Sequence, residues 1–116
     1  MRELTSHKVA GLNEVLKISV LDEPGPGNAC HEYLIESPVE VRINFQNGPV
    51  QEFGFNGISN EALLAIVEDR LIGFQAGEFA CRENAIALTH LQDAMMWLQK
   101  RTRDRIARGV EGTNTK

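Results

Sequence analysis

This sequence has few cysteines and aromatic residues and no long apolar run, and each shortage excludes a class of protein. Its 116 residues contain two cysteines, Cys30 and Cys81, in no metal-binding spacing, so we interpret both as free thiols in a reducing compartment. No apolar stretch is long enough to span a membrane, and the N-terminus lacks the apolar region of a signal peptide. We therefore expect a cytoplasmic protein with no membrane partner.

Catalytic and metal-binding motifs are also missing. The three histidines, His7, His31 and His90, share no recognisable ligand spacing. The sequence contains no HExxH, GxSxG or Walker motif, and no carboxylate is paired with a histidine or serine in a recognisable pattern. We predict a protein that is not an enzyme, with no catalytic residue, no metal and no cofactor.

Positive charge is concentrated in one place. Residues 100–108 hold five Lys or Arg and one Asp, a local charge of +4, which leaves −8 for the rest of a chain whose net charge is −4. An acidic chain lacks the basic surface with which proteins bind polymeric nucleic acid. A small cationic cluster on an otherwise acidic protein suits a small anion better than a polymeric one.

The first half of the chain has the pattern of a β-sheet in a single domain covering residues 1–116. Residues 14–21 and 31–37 are rich in β-branched and apolar side chains, and residues 39–45 alternate strictly between apolar and polar. Asn47-Gly48 predicts a hairpin into a further strand at residues 50–55. The segment 22–28, "DEPGPGN", is predicted to be a mobile loop. The sequence thus predicts a small antiparallel meander over about residues 1–57.

From Ile58 onward the apolar residues recur with the period of a helix. Ser59 is a good N-cap, with Glu61 in the first turn. A first helix is predicted to end near "FQAG", and a second to run from about residue 79 or 81 to about residue 108. The first carries apolar side chains at three- and four-residue steps: Leu63, Leu64, Val67, Leu71 and Phe74. The fold class is therefore α+β, with an antiparallel α-hairpin over about residues 58–110.

Three polar side chains interrupt the apolar stripe of the second helix. The stripe steps by three and four residues, as in a seam between packed helices, through Asn84, Ala87, Leu91, Ala94, Leu98, Arg101 and Arg105. An arginine on such a face needs a partner, which is either a phosphate bound bidentately or an Asp or Glu in a structural salt bridge. Phe74 has two interpretations as well, a core residue or a stacking platform for a base.

The length of the second helix limits how these residues can cooperate. Asn84 and Arg101 are separated by 17 positions, about 25 Å along a helix. One nucleotide-sized ligand cannot contact both within a single chain. A shared site requires at least a dimer, whose antiparallel long helices bring Asn84 of one copy near Arg101 of the other.

Residues 56–113 resemble the helical-hairpin domain of small phage proteins that disarm nucleotide-signalling immunity. The resemblance rests on the blocks "EALLAIVEDRL", "FQAG", "WLQKRT" and "RGVEGT". One branch, the anti-CBASS sponges, is little more than the hairpin, whereas the Thoeris anti-defence sponges place an antiparallel sheet before it. This chain is more similar to the second branch.

The resemblance implies a function without catalysis. Such a protein would bind a cyclic ADP-ribose isomer made by a TIR-domain protein in the cytoplasm of the infected bacterium, and would hold it uncleaved. The family pattern places ligand contacts at Phe74, Asn84, Arg101 and Arg105, and it implies a homodimer or a trimer of dimers assembled through the helices. Cyclic oligonucleotides are a second implied ligand class. The alternatives are a sponge for cyclic di- or trinucleotides, an assembly module that binds no ligand, and a hydrolase of the same signals.

Overall fold

The computed structural model describes all residues, 1–116, and the chain divides into two compact units, Met1–Ile58 and Ser59–Lys116. The change of unit falls where the sequence changes from the pattern of strands to that of helices. No helix is both long and apolar enough to cross a membrane.

The first unit is built on a four-stranded antiparallel sheet in the order β1-β2-β3-β4. The strands are β1 (Arg2–Leu4), β2 (Lys17–Val20), β3 (Glu32–Glu36) and β4 (Val41–Asn44), and two single-turn helices, α1 (Leu12–Val15) and α2 (Val50–Phe53), lie outside the sheet. Central strand β2 supplies the most buried apolar side chain, Val20, which is 1% exposed. The predicted meander is confirmed.

The sheet differs from the predicted one in two places: one predicted strand is a turn of helix, and one strand was not predicted. Residues 50–53 form α2 instead of a strand, because Pro49 begins a helical turn and Gly54, at φ 69°, ends it. The side-chain amide of Gln46 donates to the carbonyls of Gly48 and Gly54 and so closes this turn. Strand β1 was not predicted, since three residues of which two are charged show no strand pattern.

The connection between β2 and β3, which contains the "DEPGPGN" segment, is fastened by Asp22. The Asp22 carboxylate accepts hydrogen bonds from the backbone N–H of His31, at 2.9 Å, and of Glu32, at 3.1 Å. Within the loop, the Gly25 N–H donates to the Ala29 carbonyl at 2.9 Å. The segment is therefore an internally bonded turn and not only a flexible link.

From these hydrogen bonds we expect the stability of the fold to depend on pH in the acid range. Partial burial acts to raise the pKa of Asp22, but the N–H groups of Glu32 and His31 outweigh it and hold that pKa below its ordinary value. A carboxyl with a lowered pKa stabilises the fold above its unfolded pKa, and the contribution is lost as pH falls from about 4 through the folded pKa. We expect Asp22→Asn to lower the melting temperature at pH 7 by a few degrees and to flatten its acid-side decline, measured by circular dichroism. An unchanged acid-side decline would show that other carboxylates cause it.

The second unit is a hairpin of two helices, α3 (Asn60–Gln75) and α4 (Arg82–Ala107), which pack against each other. Helix α3 begins as predicted, with the Ser59 hydroxyl accepting the N–H of Ala62 at 3.1 Å. The six residues between the helices make the pair antiparallel. Because α4 has 26 residues and α3 has 16, the last turns of α4 run about 15 Å past α3.

The buried stripes of the hairpin keep more than half of the predicted positions and are displaced by one residue at the others. On α4 the less exposed positions are Asn84, Leu88, Leu91, Met95, Leu98, Thr102 and Arg105, so Arg101 lies off the stripe and is exposed. On α3, Val67 and Phe74 are 44% and 41% exposed. A single chain therefore leaves an apolar flank of the hairpin uncovered.

Candidate functional site

A groove of about 490 Å³ lies along the C-terminal half of α4. Five of its seven lining residues are basic and one is acidic, which makes it the cationic spot expected from the sequence. We call it the basic groove, and it is lined by Trp97, Lys100, Arg101, Asp104, Arg105, Arg108 and Lys116.

Arg101 is the unpaired arginine of the basic groove. Its exposed side chain makes no hydrogen bond or ion pair, whereas neighbouring Lys100 is bound to Asp104 at 2.7 Å. A guanidinium carries five N–H donors in a fixed fork, which matches the oxygens of a phosphate. Arg101 is therefore available to an anionic ligand without breaking any contact.

Arg105 is engaged inside the protein. It is 7% exposed, and its guanidinium donates to the carbonyls of Thr115 at 2.5 Å, Val110 at 2.9 Å and Thr113 at 3.0 Å. Its Nε lies 3.5 Å from a carboxylate oxygen of Glu111. The salt bridge to a carboxylate, left open by the sequence, is thus present together with three main-chain bonds.

Residues 109–115, which we call the C-terminal turn, fold back onto the end of α4. Gly109, at φ 73°, donates to the carbonyl of Ile106, and Val110 donates to that of Arg105, both at 3.0 Å. This pair of bonds is a Schellman motif, in which glycine takes the left-handed position. The turn is held by its own backbone bonds and by Arg105.

Phe74 and Asn84 lie at the opposite end of the hairpin, beside the link between α3 and α4. The guanidinium carbon of Arg70 lies over the Phe74 ring, 5.7 Å from its centroid. This arrangement has cation–π character. Asn84 is half-buried in the first turn of α4. The four predicted residues therefore form two pairs, which one chain keeps at opposite ends of α4.

Sequence reasoning missed Trp97 as a groove residue. Trp97, Arg101 and Arg105 occur at intervals of four, so they follow one another along one row of the helix. That spacing could have identified Trp97, but the apolar pattern around Leu98 made the segment look like core.

A second, smaller hollow lies in the first unit. It has a volume of about 340 Å³ and is lined by His31, Glu32, Asn44, Phe45, Asn47 and Asn56. The Asn56 amide is occupied by the backbone N–H and carbonyl of Asn47, at 2.7 and 2.8 Å. No group of three or more His, Cys, Asp or Glu side chains in the chain is placed to hold a metal ion.

Comparison with known proteins identifies relatives of most of the chain. The family model described as "Acb2/Tad1, hairpin domain" matches residues 37–103, which include Phe74, Asn84 and Arg101 but not Arg105. The protein named Thoeris anti-defense 1 of Bacillus phage SBSphiJ7 is 60% identical over 74 residues. That match covers 64% of this chain and 52% of the phage protein, so the chain spans about half the length of this relative.

Proposed function

This chain belongs to the family of the Acb2/Tad1 hairpin domain, and from that membership we propose that it is a phage anti-defence protein that sequesters a small anionic nucleotide signal. The ligand is a cyclic ADP-ribose-type molecule made by a TIR-domain protein, and it is held without being cleaved. The site of action is the cytoplasm of the infected bacterium. The phage relative, Thoeris anti-defense 1, supports this assignment.

One observation carries the proposal, namely the unpaired Arg101 in the basic groove of the family's hairpin. Arg101 binds the pyrophosphate through bidentate hydrogen bonds. Arg105 contributes its positive charge from the wall of the groove, while its N–H donors hold the C-terminal turn. The groove also contains Lys100, Arg108 and Lys116. Closely spaced cations bind pyrophosphate tightly, and they need no catalytic group to do so.

The remaining contacts come from a second copy of the chain. Arg101 is about 25 Å along α4 from Asn84, so the base-binding pair Phe74 and Asn84 reaches the same ligand from the antiparallel helix of a partner. A shared site therefore requires at least a homodimer, and the family resemblance adds the trimer of dimers as the larger assembly that we propose. A ligand enclosed between subunits dissociates slowly, as sequestration requires.

The function is tested by mixing the purified protein with cyclic ADP-ribose isomers and with cyclic di- and trinucleotides. Free ligand is measured by chromatography before and after heat denaturation. We expect one cyclic ADP-ribose isomer to disappear and to return intact on heating. If only cyclic oligonucleotides are taken up, the protein belongs to the other ligand class. If the ligand returns chemically altered, the protein is an enzyme. If no ligand is taken up, the hairpin is an assembly module.

Arg101→Ala is expected to weaken binding of that isomer by about 100-fold, because two charge-assisted hydrogen bonds are lost. Arg103→Ala is the matched control, since Arg103 is exposed on the same helix, lies outside the lining of the basic groove and makes no hydrogen bond or ion pair. Binding constants from isothermal titration should separate the two variants. Equal losses would mean that only the general charge of the helix end matters.

A further inference from the structure

We infer that Trp97 is the aromatic wall of the basic groove and stacks on the nucleobase of the ligand whose phosphates Arg101 binds. This inference rests on the proposed function and adds a specificity-determining residue to it. It makes the groove selective for anions that carry a base, in preference to phosphate or pyrophosphate alone.

The exposure of Trp97 is the first reason. The side chain is 63% exposed, although tryptophan is normally highly buried. Its indole N–H makes no hydrogen bond in the structure. An aromatic face and a free donor are thus presented to the groove together.

The position of Trp97 is the second reason. It precedes Arg101 by four residues, so the two side chains are neighbours on successive turns of the helix, about 6 Å apart along the axis. A nucleotide has its base and its phosphates on opposite sides of a ribose. A ligand lying along the helix can therefore place phosphate on Arg101 and its base on the indole.

The alternative aromatic residue cannot fill this place within the chain. Phe74 is at the other end of the hairpin, and Arg70 already covers part of its ring, at 5.7 Å from the centroid. Trp97 is the aromatic residue that lines the groove beside the arginines. Phe74 of a partner copy would contact the ligand from a different side.

The protein contains a single tryptophan, so its fluorescence reports on this one position. The probes are the cyclic ADP-ribose isomers, which carry adenine, and inorganic pyrophosphate, which does not. We expect a bound isomer to quench the fluorescence strongly, while pyrophosphate binding leaves it nearly unchanged. We expect Trp97→Ala to weaken isomer binding about tenfold or more, the size of base–aromatic stacking, and to leave pyrophosphate binding within about twofold.

Two variants keep the test independent of folding. Trp97→Phe preserves an aromatic face and should bind an isomer within about threefold of the unchanged protein, and Met96→Ala, at a 49% exposed neighbour outside the groove lining, should bind normally. The inference is overturned if the wild type binds an isomer and Trp97→Ala binds it equally well, or if Trp97→Ala falls apart into smaller assemblies on a sizing column. No isomer binding by the wild type in equilibrium dialysis overturns the proposed function along with it.

Discussion

Replacing Arg105 with alanine is expected to release the C-terminal turn and to lower the melting temperature of the hairpin unit by roughly 10 °C, equivalent to about 2–3 kcal/mol. The guanidinium bonds three carbonyls of the turn and approaches the Glu111 carboxylate, and alanine replaces none of these contacts. The freed carbonyls can form hydrogen bonds with water, because residues 110–113 are only half-buried and residues 114–116 are exposed. The loss is therefore smaller than for a buried ion pair in a core.

Hydrogen exchange measured by mass spectrometry on residues 109–116 gives the most direct test. In Arg105→Ala these amides should exchange much faster, while those of α3 keep most of their protection. Arg105→Lys should have an intermediate effect, since an ammonium retains the charge but cannot reach three carbonyls as a planar fork does. Arg103→Ala should change nothing. Unaltered exchange in Arg105→Ala would mean that the Schellman motif alone holds the turn.

The same variants separate two roles of Arg105 in binding. If its charge is what matters, Arg105→Lys binds a cyclic ADP-ribose isomer nearly as well as the unchanged protein. If its hold on the C-terminal turn is what matters, both Arg105→Ala and Arg105→Lys weaken binding in proportion to the loss of protection in residues 109–116. We expect the second role to have the larger effect, because the donors of Arg105 are already used and only its charge remains for the ligand.

The protein is expected to be an oligomer at micromolar concentration, and Val67→Glu is expected to weaken its assembly by about 100-fold or more, because an unpaired carboxylate would be buried in the helical interface. Val67 is 44% exposed in a single chain. It lies on the apolar flank of α3 that also includes Phe74, beside the face that contacts α4. Burial of this flank by a second copy would stabilise the assembly through the hydrophobic effect.

Analytical ultracentrifugation of Val67→Glu against the wild type measures this effect. Asp69→Lys is the control, a larger change of charge at an exposed position on the other side of α3. We expect the control to assemble normally. A wild-type protein that is monomeric at micromolar concentration would rule out the shared site.

Mixing of subunits tests whether the site is shared. The Asn84→Ala and Arg101→Ala variants should each bind the ligand poorly on their own, because each substitution removes a contact from both sites of a homodimer. After subunit exchange in an equal mixture, about one quarter of the wild-type binding capacity should return, since half the dimers are mixed and each has one intact site. No recovery would place all the contacts within one chain.

The parts of this fold with strong local signals could be predicted from the sequence. Ser59 and the glycine after α4 mark helix ends through their own hydrogen bonding and backbone freedom. The prediction of a strand at residues 50–55 was wrong because "VQEFGF" is short and mixed in polarity, and the bonds from the Gln46 side chain to Gly48 and Gly54 close a helical turn there. Short segments of this kind have no period long enough to distinguish a turn of helix from a strand.

The candidate site was predictable in its charge but not in its contacts. The cluster of basic residues at 100–108 is visible in the sequence, and the basic groove is found there. The different roles of Arg101 and Arg105 are not visible in the sequence, since both lie on one row of α4 and only the C-terminal turn, which bonds Arg105, leaves one guanidinium exposed and the other buried. They depend on a segment that returns to the helix only after the chain has turned at Gly109.

The bonds from Arg105 to main-chain carbonyls also affect how this protein can evolve. A carbonyl is the same group in every residue, so the side chains of Val110, Asn114 and Thr115 can vary without loss of these bonds, whereas Glu111 adds its carboxylate to Arg105 and Gly112 is held at φ 81°. The spacing of the carbonyls is fixed by the number of residues after Gly109, and a single insertion or deletion would move them out of register with the guanidinium. Residues 110–115 are therefore more tolerant of substitution at most positions than of a change in their number.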